Sequence, residues 1–175
     1  MMNYFDFFEI PLAFIIDDLL LKQRFYEYSK KYHPDFYTLE SDEKQAEILE
    51  FSTLNNEAYR TLADFDKRMK YILELKGVLA EEGKNEIPQD FLTEIMELNE
   101  ALMELEFDFD ELVYREALQK NEQIESAIFQ EVAPILAHYN DQKATVQELF
   151  AIKDFYLKKR YLLRIRENLY KFATL

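Results

Sequence analysis

The 175-residue chain contains no cysteine, and it has only two histidines, two glycines and four prolines. Without cysteine it can form neither disulfides nor thiolate metal sites, and it cannot catalyse through a thiol. Two histidines are too few for an all-histidine metal cluster. So few glycines and prolines favour long helices, because a many-stranded sheet needs turn residues at short intervals. We therefore predict an all-α fold with no bound cofactor.

Basic residues and long hydrophobic runs are also scarce. The net charge of −14 repels phosphate backbones and anionic lipids, so we expect neither nucleic acid nor a membrane as a partner. The apolar stretch 10–16 near the N-terminus is too short to span a bilayer. A signal peptide would require a basic region before this stretch, and none is present in the sequence. We expect a cytoplasmic monomer.

The first half of the chain predicts a helical hairpin. A short helix covers residues 3–9, and a second begins at Asp17 or Asp18, either of which can cap free backbone N–H groups. Pro34 disfavours helical geometry at His33 and ends the second helix there. The antiparallel partner helix follows after a loop.

This third helix is predicted from Ser41 to about Ala63, and a shorter helix follows from Lys67 to Lys76, ended by Gly77. Helical spacing places four apolar residues on one face of the second helix: Leu21, Phe25, Tyr28 and Tyr32. In the third helix, the residues expected on the buried side are Ala46, Leu54, Ala58 and Leu62.

The second half predicts an up-down-up bundle of three helices, over residues 88–106, 108–139 and 142–172. Pro134 is expected to kink or end the middle helix near its last turn. The stretch around Gly83 has little periodicity and predicts a linker. The expected organisation is therefore a first domain over residues 1–77, a linker over 78–87 and a bundle domain over 88–175.

The tripeptide His33-Pro34-Asp35 lies in the loop between the two hairpin helices. In a purely structural interpretation, His33 complements the helix dipole and Asp35 caps a turn. In an enzymatic one, Asp35 orients His33 as a general base, but no cysteine or strained serine is present as a nucleophile. The preceding helix is rich in basic residues, although the chain as a whole is acidic. These residues either form a solvated face or attract an acidic partner. The basic residues of this helix are Lys22, Arg24, Lys30 and Lys31.

These features resemble the J-domain family, whose third-helix pattern is similar to residues 54–62. The resemblance narrows to the HscB type of co-chaperone through Tyr4-Phe5, Phe8, Phe25, the stretch 68–73 and the appended acidic bundle. Glycine/phenylalanine-rich segments and cysteine zinc modules of general J-proteins are absent from the sequence. The resemblance covers nearly the whole chain, and the first half is the more specific.

The resemblance implies a protein that is not an enzyme. His33, Pro34 and Asp35 would contact the ATPase domain of a heat-shock-70 chaperone of the HscA or DnaK type and stimulate ATP hydrolysis, while the four basic residues dock electrostatically. The chain departs from the family at Phe36, where lysine is common, and at Tyr26 and Glu27, where the helix is often basic.

The first bundle helix carries two apolar stripes. The core stripe is Phe91, Ile95, Leu98, Leu102 and Leu105, and the second, about 100° away, is Leu92, Met96 and Met103. Either both stripes are buried between neighbouring helices, or the second is exposed and binds a partner.

The HscB resemblance implies that this second face binds an iron–sulfur scaffold protein of the IscU type. The matching residues are Leu92, Thr93, Met96, Glu97, Glu100 and Glu104, with an aromatic residue of the last helix, Tyr156 or the alternative Phe155. Two or three apolar anchors would give micromolar binding. The leading hypothesis is therefore a co-chaperone that delivers the scaffold for cluster assembly and transfer. The alternatives are a general J-domain co-chaperone for unfolded clients and a non-catalytic adaptor with a degenerate J-domain.

Overall fold

The computed structural model describes residues 2–80 and 84–173, and every regular element in these residues is helical. The predicted all-α fold is confirmed. The chain divides into two compact units, Met1–Leu75 with Tyr139–Lys143, and Lys76–His138 with Ala144–Leu175. The domain borders expected at residues 77 and 88 stay a prediction, and part of the expected linker, residues 81–83 with Gly83, lies outside the described residues.

The first unit is a helical hairpin with a short helix on either side of it. Its elements are α1 (Tyr4–Phe7), α2 (Asp18–Lys31), a 3-10 turn (Pro34–Tyr37), α3 (Asp42–Leu62) and α4 (Phe65–Leu75). Two of the expected caps form, because the Asp17 carboxylate accepts from the amides of residues 19 and 20 and the Ser41 hydroxyl accepts from the amide of Lys44. Gly77 follows α4 with a φ of 66°, a conformation that glycine adopts without strain.

The hairpin core differs from the predicted one in α3. Ala58 and Leu62 are buried as expected, but Ala46 is exposed and Leu54 is only half-buried. Ile48 and Asn55 are buried instead. The helix offsets identify a possible face, but the position of the packed partner decides which residues on it lose contact with water.

The second unit contains α5 (Gln89–Glu94), α6 (Met96–Phe107), α7 (Glu111–His138) and α8 (Val146–Phe172). The prediction of one continuous first bundle helix is wrong, because Ile95 departs from helical geometry (φ −91°, ψ 4°) and separates α5 from α6. Ile95 is fully buried, so the break between the two helices lies at a core residue. Pro88 is at the N-cap position of α5 and makes no side-chain capping hydrogen bond.

Helices α7 and α8 form the long pair of the bundle. Pro134 lies inside α7, which continues to His138, whose Nδ1 is 2.8 Å from the Pro134 carbonyl oxygen. Buried Asn121 donates to the backbone carbonyl of Leu162 at 3.0 Å and so links α7 to α8.

The start of α8 corrects a further expectation. Helix α8 begins at Val146, four residues later than predicted, because Thr145 and Glu148 form a reciprocal capping box there. Val146 is therefore in the first turn, and it is exposed. Near the end of α7, Val132 and Leu136 are buried and Ile135 is half-buried.

Within the described residues no helix has both the length and the apolar character needed to cross a membrane. In the same residues no three histidine or acidic side chains come together in a way that could hold a metal ion.

Candidate functional site

The His33-Pro34-Asp35 turn is the exposed tip of the α2–α3 hairpin. Pro34 is the first residue of the 3-10 turn, and the amide of Asp35 donates to Nδ1 of His33 at 3.3 Å. A neutral ring that accepts at Nδ1 carries its proton on Nε2, which leaves that N–H free to donate outward. The His33 side chain is 51% exposed and that of Asp35 is 82% exposed, so a partner protein can reach both.

Two side chains that the sequence analysis missed hold this turn. The Tyr37 hydroxyl donates to the carbonyl of Lys31 at 2.8 Å and ties the turn to the end of α2. The Gln45 amide donates to the carbonyls of Glu40 at 2.9 Å and Thr38 at 3.3 Å and ties the other end to α3. The turn is therefore fastened to both helices.

A small polar network joins the two hairpin helices deeper in the unit. Asn55 is almost fully buried, and its Nδ2 donates to the Ser29 hydroxyl at 3.0 Å and to the Phe25 carbonyl at 3.2 Å. The Ser29 hydroxyl also donates to the Phe25 carbonyl, at 2.8 Å. The Phe25 ring stacks on Tyr59 with centroids 4.1 Å apart. These contacts favour one register of α2 against α3 and so orient the turn.

The basic side chains of α2 differ in whether their charges are paired with carboxylates of the same chain. Lys22, Lys30 and Lys31 are exposed, whereas Arg24 lies 3.6 Å from the Glu9 carboxylate and 3.3 Å from that of Glu27. Arg24 is therefore partly neutralised within the chain.

Lys31 is held next to the turn by two tyrosines. Its Nζ lies 5.0 Å from the ring centroid of Tyr32 and 5.7 Å from that of Tyr28. A side-chain hydrogen bond with Tyr32 raises the pKa of Lys31, which keeps this lysine protonated.

The geometry disfavours the enzymatic interpretation of the tripeptide. Oδ2 of Asp35 is 3.8 Å from Nδ1 of His33, beyond hydrogen-bonding distance, and that nitrogen already accepts from a backbone amide. The carboxylate does not orient the imidazole as a base–orienter pair would require.

The two stripes of α5 and α6 have different environments. In the core stripe, Phe91, Ile95, Leu98 and Leu105 are buried, and Leu102 is half-buried. In the second stripe Leu92 is half-buried, Met96 is 54% exposed and Met103 is 70% exposed. The alternative in which both stripes are fully buried is wrong.

The polar residues predicted for this surface are all exposed: Thr93, Glu97, Glu100 and Glu104. The Thr93 hydroxyl donates to the Gln89 carbonyl at 3.2 Å, and the Glu97 carboxylate is 3.3 Å from Nζ of Lys120 on α7.

The aromatic residue expected to join the exposed face does not do so. Tyr156 is only 4% exposed, and the alternative, Phe155, is equally buried and lies against Phe129. Both residues fall within a buried run of three on α8, so neither ring is available as a contact surface. The Tyr156 hydroxyl is 3.5 Å from the guanidinium of Arg160.

A helical hairpin with an exposed His-Pro-Asp turn, followed by a helical bundle, defines the class of J-domain co-chaperones. A family model described as the HSCB C-terminal oligomerisation domain matches residues 87–170. A co-chaperone protein HscB homolog of Psychromonas ingrahamii is 32% identical over 171 residues, which cover 97% of this chain and 99% of that protein. The co-chaperone protein HscB of Proteus mirabilis is 34% identical over 110 residues, 62% of this chain and 64% of its own length.

Solved structures agree with these relatives. The chaperone HscB from Vibrio cholerae matches with a TM-score of 0.70 and 25% identity, covering 99% of this chain and 98% of that one. The human co-chaperone protein HscB matches with a TM-score of 0.73 and 27% identity, covering 95% and 80%. The chain belongs to the HscB family of co-chaperones. It is accordingly a co-chaperone and not an enzyme, and both the resemblance and the predicted arrangement of a J-domain followed by a helical domain are confirmed.

Proposed function

We propose that this chain stimulates ATP hydrolysis by a heat-shock-70 chaperone of the HscA or DnaK type and delivers to it an iron–sulfur scaffold protein of the IscU type, in the cytoplasm. Through this pair of contacts it assists iron–sulfur cluster assembly and transfer. The observation that carries the proposal is the fastened turn whose His33 and Asp35 side chains both face solvent.

The chaperone contact consists of His33, Pro34 and Asp35 with the basic residues of α2. Lys22, Lys30 and Lys31 supply the free charge that attracts an acidic surface, and Arg24 has to give up its pairs with Glu9 and Glu27 to join them. The turn acts by binding the hydrolysis-competent state of the chaperone better than its other states, since only differential affinity shifts such an equilibrium.

The scaffold contact is made by the α5–α6 surface. Leu92 and Met96 are its apolar anchors, and Thr93, Glu97, Glu100 and Glu104 form its polar edge.

The chaperone contact is tested with His33→Gln in a steady-state ATPase assay of the chaperone. The variant should lose most of the stimulation and keep the thermal stability of the parent, because the His33 side chain is half exposed and hydrogen-bonds within its own turn. His138→Gln is a matched control, since it makes the same chemical change at the exposed end of α7. Full stimulation by His33→Gln would refute the proposed role of the turn and favour an adaptor with a degenerate J-domain.

The scaffold contact is tested by calorimetric titration of the full chain with a purified iron–sulfur scaffold. Micromolar binding is expected. Absence of binding, together with normal capture of unfolded chains, would favour the general co-chaperone over the dedicated one.

A further inference from the structure

Four aromatic rings of the first unit form a continuous row that joins its core to the end of α2. Phe8 is fully buried and stacks on Tyr28, with ring centroids 6.0 Å apart. Tyr28 makes a T-shaped contact with Tyr32 at 5.8 Å, and Tyr32 stacks on Phe51 of α3 at 4.8 Å. Because each ring packs against the next, the half-buried Tyr32 has little freedom to turn.

Lys31 is held against this row through its side chain and against the exposed turn through its backbone. Its Nζ is 5.0 Å from the ring centroid of Tyr32 and 5.7 Å from that of Tyr28. Its carbonyl accepts a hydrogen bond from the Tyr37 hydroxyl at 2.8 Å. Although Lys31 is exposed, its charge therefore has a defined position beside the turn.

The neighbouring lysine, Lys30, is not held in this way. It is exposed as well, but neither a ring nor a carboxylate of the described residues lies against its ammonium group. A long side chain that is free to rotate loses this freedom when a partner binds it, which weakens the contact. A cation that is already held, as Lys31 is, loses less.

We propose that Tyr32 is a positioning residue for the chaperone contact and holds Lys31 where its ammonium group meets a carboxylate of the chaperone. The inference rests on the proposed function and deepens it, because Lys31 is one of the basic residues assigned to that contact. Tyr32 acts through Lys31 and does not itself touch the chaperone. It reduces the freedom that Lys31 loses on binding, so it affects the affinity for the chaperone and not the hydrolysis step.

The test is a double-mutant cycle, measured as chaperone ATP hydrolysis at increasing concentrations of the full-length chain. Tyr32→Leu should raise the half-stimulating concentration by about two- to tenfold, the range for ordering one long side chain, and leave the maximal stimulation unchanged. In a Lys31→Ala background the same substitution should have no further effect, because the lysine that Tyr32 holds is absent. Tyr32→Phe keeps the ring and should stay closer to the parent than Tyr32→Leu does.

Tyr59→Leu is the matched control for a loss of packing. Tyr59 is also a half-buried tyrosine that stacks on a phenylalanine across the hairpin, with its ring centroid 4.1 Å from that of Phe25. Within the described residues no lysine lies over the Tyr59 ring. Any loss of stimulation caused by Tyr59→Leu should therefore be the same in the parent and in the Lys31→Ala background.

A measurement on the unmodified chain needs no variant that folds. In its proton NMR spectrum, the methylene protons beside the Lys31 amine should lie upfield of those of Lys30. The reason is that an aromatic ring shields protons above its face, and Nζ of Lys31 lies over two rings.

The outcomes separate the positioning role from a structural one. An equal effect of Tyr32→Leu in both backgrounds would mean that Tyr32 only supports the fold, which overturns the inference. So would a Tyr32→Leu chain that matches the parent, a Tyr32→Phe chain as weak as Tyr32→Leu, or unshifted Lys31 protons. If Lys31→Ala matches the parent while His33→Gln loses stimulation, the inference fails and the proposed function stands. If the parent chain does not stimulate the chaperone at all, both fail.

Discussion

Replacement of Met96 by serine isolates the apolar part of the proposed scaffold contact. Burial of a whole methionine side chain contributes about 1.5–3 kcal/mol. Met96 is 54% exposed in the free chain, so roughly half of that value, about 0.8–1.6 kcal/mol, remains to be gained on binding. Met96→Ser should therefore raise the dissociation constant by about four- to fifteenfold. The fold should change little, because the lost side chain has most of its contact with water.

The assay compares Met96→Ser with Met2→Ser by calorimetric titration with the scaffold. Met2 is 55% exposed and is in the first unit, so the control loses the same side chain from the same degree of exposure away from the α5–α6 surface. Thermal denaturation of both variants checks the fold. Equal dissociation constants for Met96→Ser, Met2→Ser and the parent would refute the assignment of Met96 as an anchor, even if the scaffold binds.

The remaining predictions concern the framework of the two sites. Asn55→Ala should lower the free energy of unfolding in urea by about 1–3 kcal/mol, because the Ser29 hydroxyl loses the hydrogen bond that Asn55 donates to it. Asn56→Ala is the control and should change this free energy little, because the exposed Asn56 side chain makes its hydrogen bond within α3. An unchanged urea midpoint for Asn55→Ala would contradict this. Hydrogen bonds from Thr145 lower the pKa of Glu148, so its contribution to stability is present above the unfolded pKa and is lost as pH falls through the folded one. The melting-temperature gap between the parent and Glu148→Gln should therefore close as pH falls below the ordinary 4.5, and a constant gap would argue against the capping role.

The elements of the first unit could be predicted from the sequence because local chemistry determines them. Asp17 and Ser41 begin the hairpin helices as their capping chemistry predicts, and Gly77 follows the end of α4. The helix break at Ile95 carries no such signal, since neither proline nor glycine is near it and its buried side chain continues the helical spacing. Whether the helix is interrupted at this point depends on how it packs against the neighbouring helices. A single sequence does not contain that information.

The two candidate sites could be predicted from the sequence to different extents. A proline between two predicted helices is enough to predict that the tripeptide lies on an exposed turn. Tyr37 and Gln45, which fasten that turn, act through their side chains on backbone carbonyls of other residues, and no residue pattern marks such bonds in advance. On α6 the two stripes are equally apolar, so only packing shows that Met96 is exposed. On α8, Phe155 and Tyr156 are adjacent aromatic residues, and the sequence does not show that the Tyr156 side chain is buried.

The two proposed contacts rely on surfaces of opposite charge in separate units. Helix α2 carries four basic and two acidic side chains, whereas α6 carries four glutamates and no basic residue. A partner selected by one surface is therefore repelled by the other, so the chain can hold the chaperone and the scaffold without exchanging their positions. Salt separates the contributions, because it screens the exposed charges but not the burial of Met96. The dissociation constants of the parent and of Met96→Ser should thus rise in parallel with salt.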